Sequence, residues 1–210
     1  KKNLLLWSEN LSEAFTESNI ENKILFLNEL GFTENLKRNF LKIISKDLMY
    51  ENMNRIIDSE IKNYKPDLII VISPFLFNEK IFQSLYSFSN IVKCAWVGDR
   101  FSELHTNIAK KFDHIFYTDS FFIEDGKKFN FPKGSYLPLA VNHNRFFDKE
   151  QKREEQLLFI ASYTKQRMEF LKQINSIDLK LIGAKWQNKC LKKNTEYVDK
   201  NININQVADE

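Results

Sequence analysis

Glycine and proline are scarce, with 5 Gly and 4 Pro in 210 residues. That scarcity argues against a turn-dense β-sandwich and against a Pro/Gly-rich linker protein. There are only two cysteines, Cys94 inside an apolar run and Cys190 far along the chain. No disulfide framework is expected from them, and a reducing, cytoplasmic setting fits. No apolar run approaches the roughly 20 residues that cross a bilayer, so no transmembrane segment is expected. The opening Lys1-Lys2-Asn3-Leu4-Leu5-Leu6 is too short for the apolar region of a signal peptide. An initiator methionine is missing, and the closing Gln206-Val207-Ala208-Asp209-Glu210 reads as a helix just beginning. The chain is therefore expected to continue past both ends.

Several chemistries are missing as well. His105, His114 and His143 stand at no ligand spacing with Cys, Asp or Glu, so neither a metal nor another cofactor is expected. Neither G-x-x-x-x-G-K-S/T nor G-x-G-x-x-G occurs, which leaves a P-loop or dinucleotide-fingerprint enzyme unsupported. No Ser, His and Asp set stands out as a hydrolytic triad. The charge has no strong sign, since 31 basic and 28 acidic residues give +3 and are interleaved throughout. Lys185, Lys189, Lys192 and Lys193 come nearest to a basic run. They read as a solvated helix face, and no nucleic-acid partner is expected, because such binders concentrate their excess on one element.

What is present is core material: 43% hydrophobic residues, 19 of them Phe, with 28% charged residues to cover the outside. Short apolar runs alternate with helix-period segments, the pattern of βαβ units and a parallel sheet. Strands are predicted at 3–7, 23–27, 67–72, 91–97, 114–118 and 135–139. Leu68-Ile69-Ile70-Val71-Ile72 is apolar throughout, as in strands covered on both faces, and it and 91–97 are expected to be central. Apolar residues three and four apart predict two helices over 35–64, broken near 45–47 and closed before Pro66. Shorter helices are expected at 78–88, 102–112 and 120–129. Residues 142–155 are polar and aperiodic apart from Phe146-Phe147, and read as a linker between a first domain, 1–141, and a second, 156–210. The second opens with a strand at 156–161, a helix at 165–174, a strand at 179–182 and a helix around 187–193. Tyr197-Val198 could add another strand.

Ligands of open parallel sheets bind beyond the carboxyl ends of the strands, so the residues just after each strand are the candidates. Glu9 follows the first predicted strand and could act as a general base toward an acceptor hydroxyl. Ser73 follows the 67–72 strand. Gly98-Asp99-Arg100 ends the 91–97 strand in a glycine, where backbone can approach a ligand, followed by a carboxylate and a guanidinium. Its bland alternative is a turn with Asp99 as helix cap and Arg100 paired to a neighbour. Asp119 is first of all a capping signal. In the second domain, Ser162, Thr164, Lys165 and Arg167 surround a predicted helix start, a fair anion site. Gly183, Ala184 and Trp186 follow the 179–182 strand.

Taken in order, four runs resemble the CgeB-type (spore-maturation) glycosyltransferase-like proteins, of the GT-B glycosyltransferase superfamily. They are Lys65-Pro66-Asp67-Leu68-Ile69-Ile70-Val71, Ala95-Trp96-Val97-Gly98-Asp99, Asp113-His114-Ile115-Phe116-Tyr117-Thr118-Asp119 and Tyr136-Leu137-Pro138-Leu139-Ala140-Val141. Phe159-Ile160-Ala161-Ser162 through Arg167 and Leu181-Ile182-Gly183-Ala184-Lys185-Trp186 carry it further, so that it spans about 66–186. The resemblance implies an α/β protein: a Rossmann-like acceptor-side domain followed by an incomplete, nucleotide-binding Rossmann-like domain. It implies metal-independent transfer of a sugar, such as a hexose, from a nucleotide diphosphate to a saccharide or protein hydroxyl. Asp99 would face the cleft as a catalytic residue, with Ser73, Arg100 and Asp119 on the acceptor side; Glu9 lies outside the resemblance and is a catalytic candidate only from its loop position, where a lone Glu is usually just solvated. Ser162, Thr164, Lys165 and Arg167 would hold the donor phosphates, and Gly183, Ala184 and Trp186 would lie by the nucleoside. Asp99 and Arg167 would face a common cleft. Two departures are Gly98-Asp99-Arg100, where relatives often carry consecutive acidic residues, and Ala161, where they often carry glycine. The later donor-domain residues lie beyond Glu210, so the chain alone could be inactive. The alternative is a non-catalytic α/β binding module that kept the fold and lost the chemistry.

Overall fold

The computed structural model describes residues 2–27, 32–144, 155–174, 177–186 and 195–198. It is an α/β protein with two parallel sheets, and its packing divides into two units, Lys1–Ala140 and Val141–Glu210. Residues 145–154, with Phe146 and Phe147, and the predicted helix around 187–193 lie outside the described residues.

The first unit opens with α1 (Lys2–Glu17), not with the predicted strand at 3–7. Leu4, Trp7, Leu11 and Phe15 recur every three or four residues, a helical period that continues past the leucine run and overrides it. The predicted strand at 23–27 is not one either. That segment pairs with no strand among the described residues; Lys23 instead meets Glu60 at 2.5 Å, and Leu27 packs against the core.

The long helical stretch divides as expected into α2 (Phe32–Ile44) and α3 (Lys46–Tyr64). Ser45 between them is extended, at φ −159° and ψ 128°. Lys65 closes α3 in the left-handed conformation, its N–H on the Ile61 carbonyl at 2.8 Å, and Pro66 prevents continuation.

The sheet of the first unit is β1 (Leu68–Ile72), β2 (Val92–Val97), β3 (His114–Tyr117) and β4 (Gly134–Tyr136), all parallel and paired in that order. β2 is internal, but β1 is an edge strand, contrary to its expected central place. With residues 2–17 helical and 23–27 unpaired, no described strand remains to flank it. Apolarity along β1 reflects packing of its faces and not a second neighbour. Two 3-10 segments, Pro74–Leu76 and Glu79–Ser87, connect β1 to β2. Glu103–His105 and α4 (Thr106–Ala109) connect β2 to β3, and α5 (Phe121–Lys128) leads to β4.

Register places Val71, Ala95 and Ile115 on one face, with Val97 and Tyr117 following. This face packs against Met53, Ile57 and Ile61 of α3, Ile81, Phe82 and Leu85, and Ile108 and Ala109 of α4. Lys93, buried on the same face, turns its ammonium onto the carbonyls of Phe88 and Ile91, at 3.0 and 3.1 Å. Burying that lysine is tolerable because carbonyls and the Asp113 carboxylate, 3.8 Å away, replace its water.

Tyr117 is enclosed in this core and its hydroxyl has no partner among the described residues. Burial pushes the phenol up to about 12. Its ring also dictates two glycines: a Cβ at Gly126 would lie 2.3 Å from the hydroxyl, and one at Gly134 2.3 Å from Cε2. Tyr117→Phe removes an unsatisfied buried group, so at neutral pH stability should hold or rise by about 1 kcal/mol. The neutral phenol's advantage is whole below pH 10.0, its ordinary value, and is lost as pH rises through about 12. Urea unfolding at neutral and alkaline pH checks both, since Tyr117→Phe should lose less stability over that alkaline interval.

The second unit has β5 (Gln156–Ile160), β6 (Asp178–Ile182) and β7 (Thr195–Val198), parallel and paired in that order. The strand that Tyr197-Val198 suggested is thus present as β7. α6 (Lys165–Leu171) packs Met168 and Leu171 against Leu179, Leu181 and Trp186.

Candidate functional site

Strand order in the first sheet never reverses, so no switch in topology marks a crevice and the site rests on the residues at the carboxyl edge. Ser73 ends β1. Its N–H donates to the Trp96 carbonyl at 2.8 Å, and its backbone is left-handed, at φ 50° and ψ 53°. That conformation is costly for a non-glycine residue and more so before proline. The Ser73 side chain is 2% exposed and its hydroxyl has no partner among the described residues. Backbone strain and an orphaned hydroxyl coincide at one strand end, the combination that clusters at working sites.

Beside it, β2 runs into Gly98, Asp99 and Arg100. A Cβ on Gly98 would sit 2.8 Å from the Trp7 ring, and Trp7 lies against Trp96 with centroids 5.6 Å apart. The glycine therefore admits the indole of α1, where the sequence suggested a ligand. Asp99 and Arg100 are exposed and make no hydrogen bond or ion pair among the described residues. The capping role that competed for Asp99 is taken by Ser102, whose N–H donates to His105 Nδ1 at 3.0 Å.

Glu9 is not in a loop after a strand. It is inside α1 and half-buried. Two residues on from Trp7, it is rotated about 200° around the helix from the indole that meets the sheet edge. Asp119 is exposed and accepts from the Phe121 N–H at 2.9 Å, which is the capping reading. The sheet edge thus gathers Ser73, Asp99 and Arg100, with Asp119 as a turn-former, and leaves Glu9 apart.

In the second unit Thr164 caps α6. Its backbone is extended and Oγ1 accepts from the Arg167 N–H at 3.2 Å. Arg167 Nη1 donates to the Ser162 carbonyl at 2.7 Å. One of five guanidinium N–H groups is thereby used, which fixes the fork and leaves the others able to bind an anion. Lys165 is exposed beside it. Gly183 has φ 147°, and a Cβ there would be 2.3 Å from the Ala161 carbonyl oxygen. Ala184 is half-buried, and its carbonyl accepts from the Tyr163 N–H at 2.9 Å.

Trp186 does not offer a face to a nucleoside. It is fully enclosed, its Nε1 donating to the Ala161 carbonyl at 2.6 Å and its ring edge-on to Tyr163 and Phe159. A large indole with one polar handle is readily taken for a ligand platform in sequence, whereas here the handle is satisfied within the core.

Two features carried no sequence reading. Trp7 covers the β2 edge, and its helical spacing with Leu11 was the available signal. A shallow groove of about 220 Å³ is lined by Glu79, Gln83, Tyr86, Asn107, Lys110 and Lys111, with the Lys111 ammonium 4.0 Å from the Tyr86 ring centroid. Nothing in the local pattern distinguishes that lysine pair from solvated charge. Among the described residues, no three of His, Cys, Asp and Glu are grouped as metal ligands, and no helix is long and apolar enough to cross a membrane. No family model matches the chain, and no curated protein does.

Proposed function

We propose that the chain belongs to a sugar-nucleotide-dependent glycosyltransferase, its first unit serving the acceptor and its second the donor. The observation that carries this reading is the free Asp99-Arg100 pair at a parallel-sheet carboxyl edge, beside the strained, orphaned Ser73. The order of motifs that resembles the CgeB-type proteins supports it.

In the proposed reaction an acceptor hydroxyl oxygen forms a bond to the anomeric carbon of the donor sugar. The bond from that carbon to the nucleotide diphosphate breaks, and the diphosphate leaves with the electron pair. Asp99 orients the hydroxyl and takes its proton. Arg167 and Lys165 offset the charge that grows on the diphosphate, which is the role a bound metal would otherwise fill.

One set of contacts favours the second reading, a non-catalytic binding module. Thr164, Arg167 and Asp119 each satisfy backbone groups of their own chain, so they have work without a ligand. Calorimetric titration of the longest form of the protein that carries the whole donor unit, with UDP-, GDP-, CMP- and dTDP-sugars, tests the transferase proposal. One nucleotide class should bind with a Kd between about 1 μM and 1 mM; heatless titrations with all four would contradict it.

A further inference from the structure

The second helix carries its apolar side outward. In α2, Leu36, Phe40, Ile43 and Ile44 share one face through their spacing of three and four. They are 61, 62, 85 and 58% exposed, and Leu48 at the start of α3 is a further exposed leucine. The half-buried positions of α2 are mostly polar: Glu34, Asn35 and Arg38, with Leu41. Arg38 donates from Nη1 to the Leu27 carbonyl, which fixes the rotation of the helix. An amphipathic helix ordinarily turns its apolar stripe to the core. Single exposed leucines need no explanation, but an unbroken stripe does.

We propose that α2 is a membrane-surface element that lies in the interface of an anionic bilayer. Leu36, Phe40, Ile43 and Ile44 enter the acyl boundary, and Lys37 and Lys46 remain among the headgroups. Charge is the first argument. α2 carries Lys37, Arg38 and Lys42 against Glu34 alone, three cations less one anion, or +2. Lys37, Lys42 and Lys46 are exposed and make no ion pair among the described residues. Lys37 and Lys46, which flank the stripe, are available to anionic lipid, each contributing at its surface.

Size is the second argument. A stable protein–protein contact buries about 800 Å² on each partner, more than a few side chains on one 13-residue helix supply. A bilayer interface needs no shape-matched partner and accepts an apolar helix face to a depth of about 5–10 Å. The helix is only about 20 Å long, too short to span the hydrocarbon core, so it lies in the plane. This inference does not depend on the transferase reading.

The test is cosedimentation of the 210-residue chain with vesicles of phosphatidylcholine, with and without one-quarter phosphatidylglycerol. Binding to the anionic vesicles is expected, weakening at high salt as the Debye length falls from about 10 Å toward about 3 Å. Phe40→Ser with Ile43→Ser should weaken it about tenfold or more, and Lys37→Glu about tenfold. The replaced side chains are exposed, so circular dichroism and Tm should be unchanged. Should the double variant misfold, Lys37→Glu still decides. The proposal is overturned if no vesicle binds, if neither variant weakens binding, or if headgroup and salt have no influence. It is equally overturned if sedimentation velocity shows a dimer that the double variant abolishes, because the stripe is then a self-association surface.

Discussion

In the complete enzyme Asp99→Asn should lower glycosyl transfer by about a hundredfold or more and leave KM for either substrate within about threefold. The substitution keeps shape and hydrogen-bonding reach and removes only the charge and the ability to take a proton. Asp99 makes no hydrogen bond or ion pair among the described residues and is exposed. Folding therefore does not depend on its carboxylate, and Tm should not move. That insulation separates a group acting on substrate from one that holds a loop, which would lose stability and activity together. Steady-state kinetics with thermal denaturation makes the distinction. Transfer within threefold of wild type would remove Asp99 from the chemistry. The same substitution at Asp119 should instead weaken the turn it caps at the Phe121 N–H, by about 1 kcal/mol or less, since asparagine also caps.

The second large effect is structural. Gly183→Ala should destabilise the second unit by about 3 kcal/mol or more. Two costs add. The backbone at φ 147° lies where side-chain-bearing residues are strained, and the new Cβ would meet the Ala161 carbonyl oxygen at 2.3 Å. That oxygen cannot withdraw cheaply, because it accepts from Trp186 Nε1, and the Ala161 N–H is itself bonded to the Ile182 carbonyl at 2.9 Å. The damage should fall on the β5–β6 pairing and the Trp186 core. Hydrogen exchange should therefore rise in residues 156–186 and stay unchanged at β2 and β3. A loss below about 1 kcal/mol would contradict this account of the turn. Glycine here serves close approach of backbone to backbone, so its presence after β6 is not by itself a sign of a ligand.

The sequence made the middle of the first unit legible and misread its start. The break at Ser45, the stop before Pro66 and the strands β1 to β4 follow from local signals: turn chemistry, proline and continuous apolarity. At residues 3–7 a short apolar run suited a strand and a helix equally, and the period that settles it extends to Phe15. That error placed Glu9 in a loop, whereas the structure holds it in a helix. It also supplied β1 with a flanking strand that is not there, because pairing depends on a partner strand that local apolarity does not specify.

The candidate site divides along similar lines. Its place at the carboxyl edge is legible, because it follows from parallel strands alone. Which residues there are spoken for is not. Capping by Asp119 follows from the sequence and holds, whereas capping by Thr164 and the enclosure of Trp186 depend on rotamers and three-dimensional neighbours. Strain at Ser73 has no sequence signal apart from the proline that follows it.

The central claim is that the second unit holds the diphosphate of a sugar nucleotide. The most direct test repeats the calorimetric titration, with the nucleotide sugar that binds best, on Arg167→Ala. Arg167 is exposed, and among the described residues its one side-chain bond is to the Ser162 carbonyl, so the variant should fold with little change in Tm. Losing a charge-assisted contact to phosphate should weaken donor binding about tenfold or more. Equal affinity in wild type and variant would contradict the account.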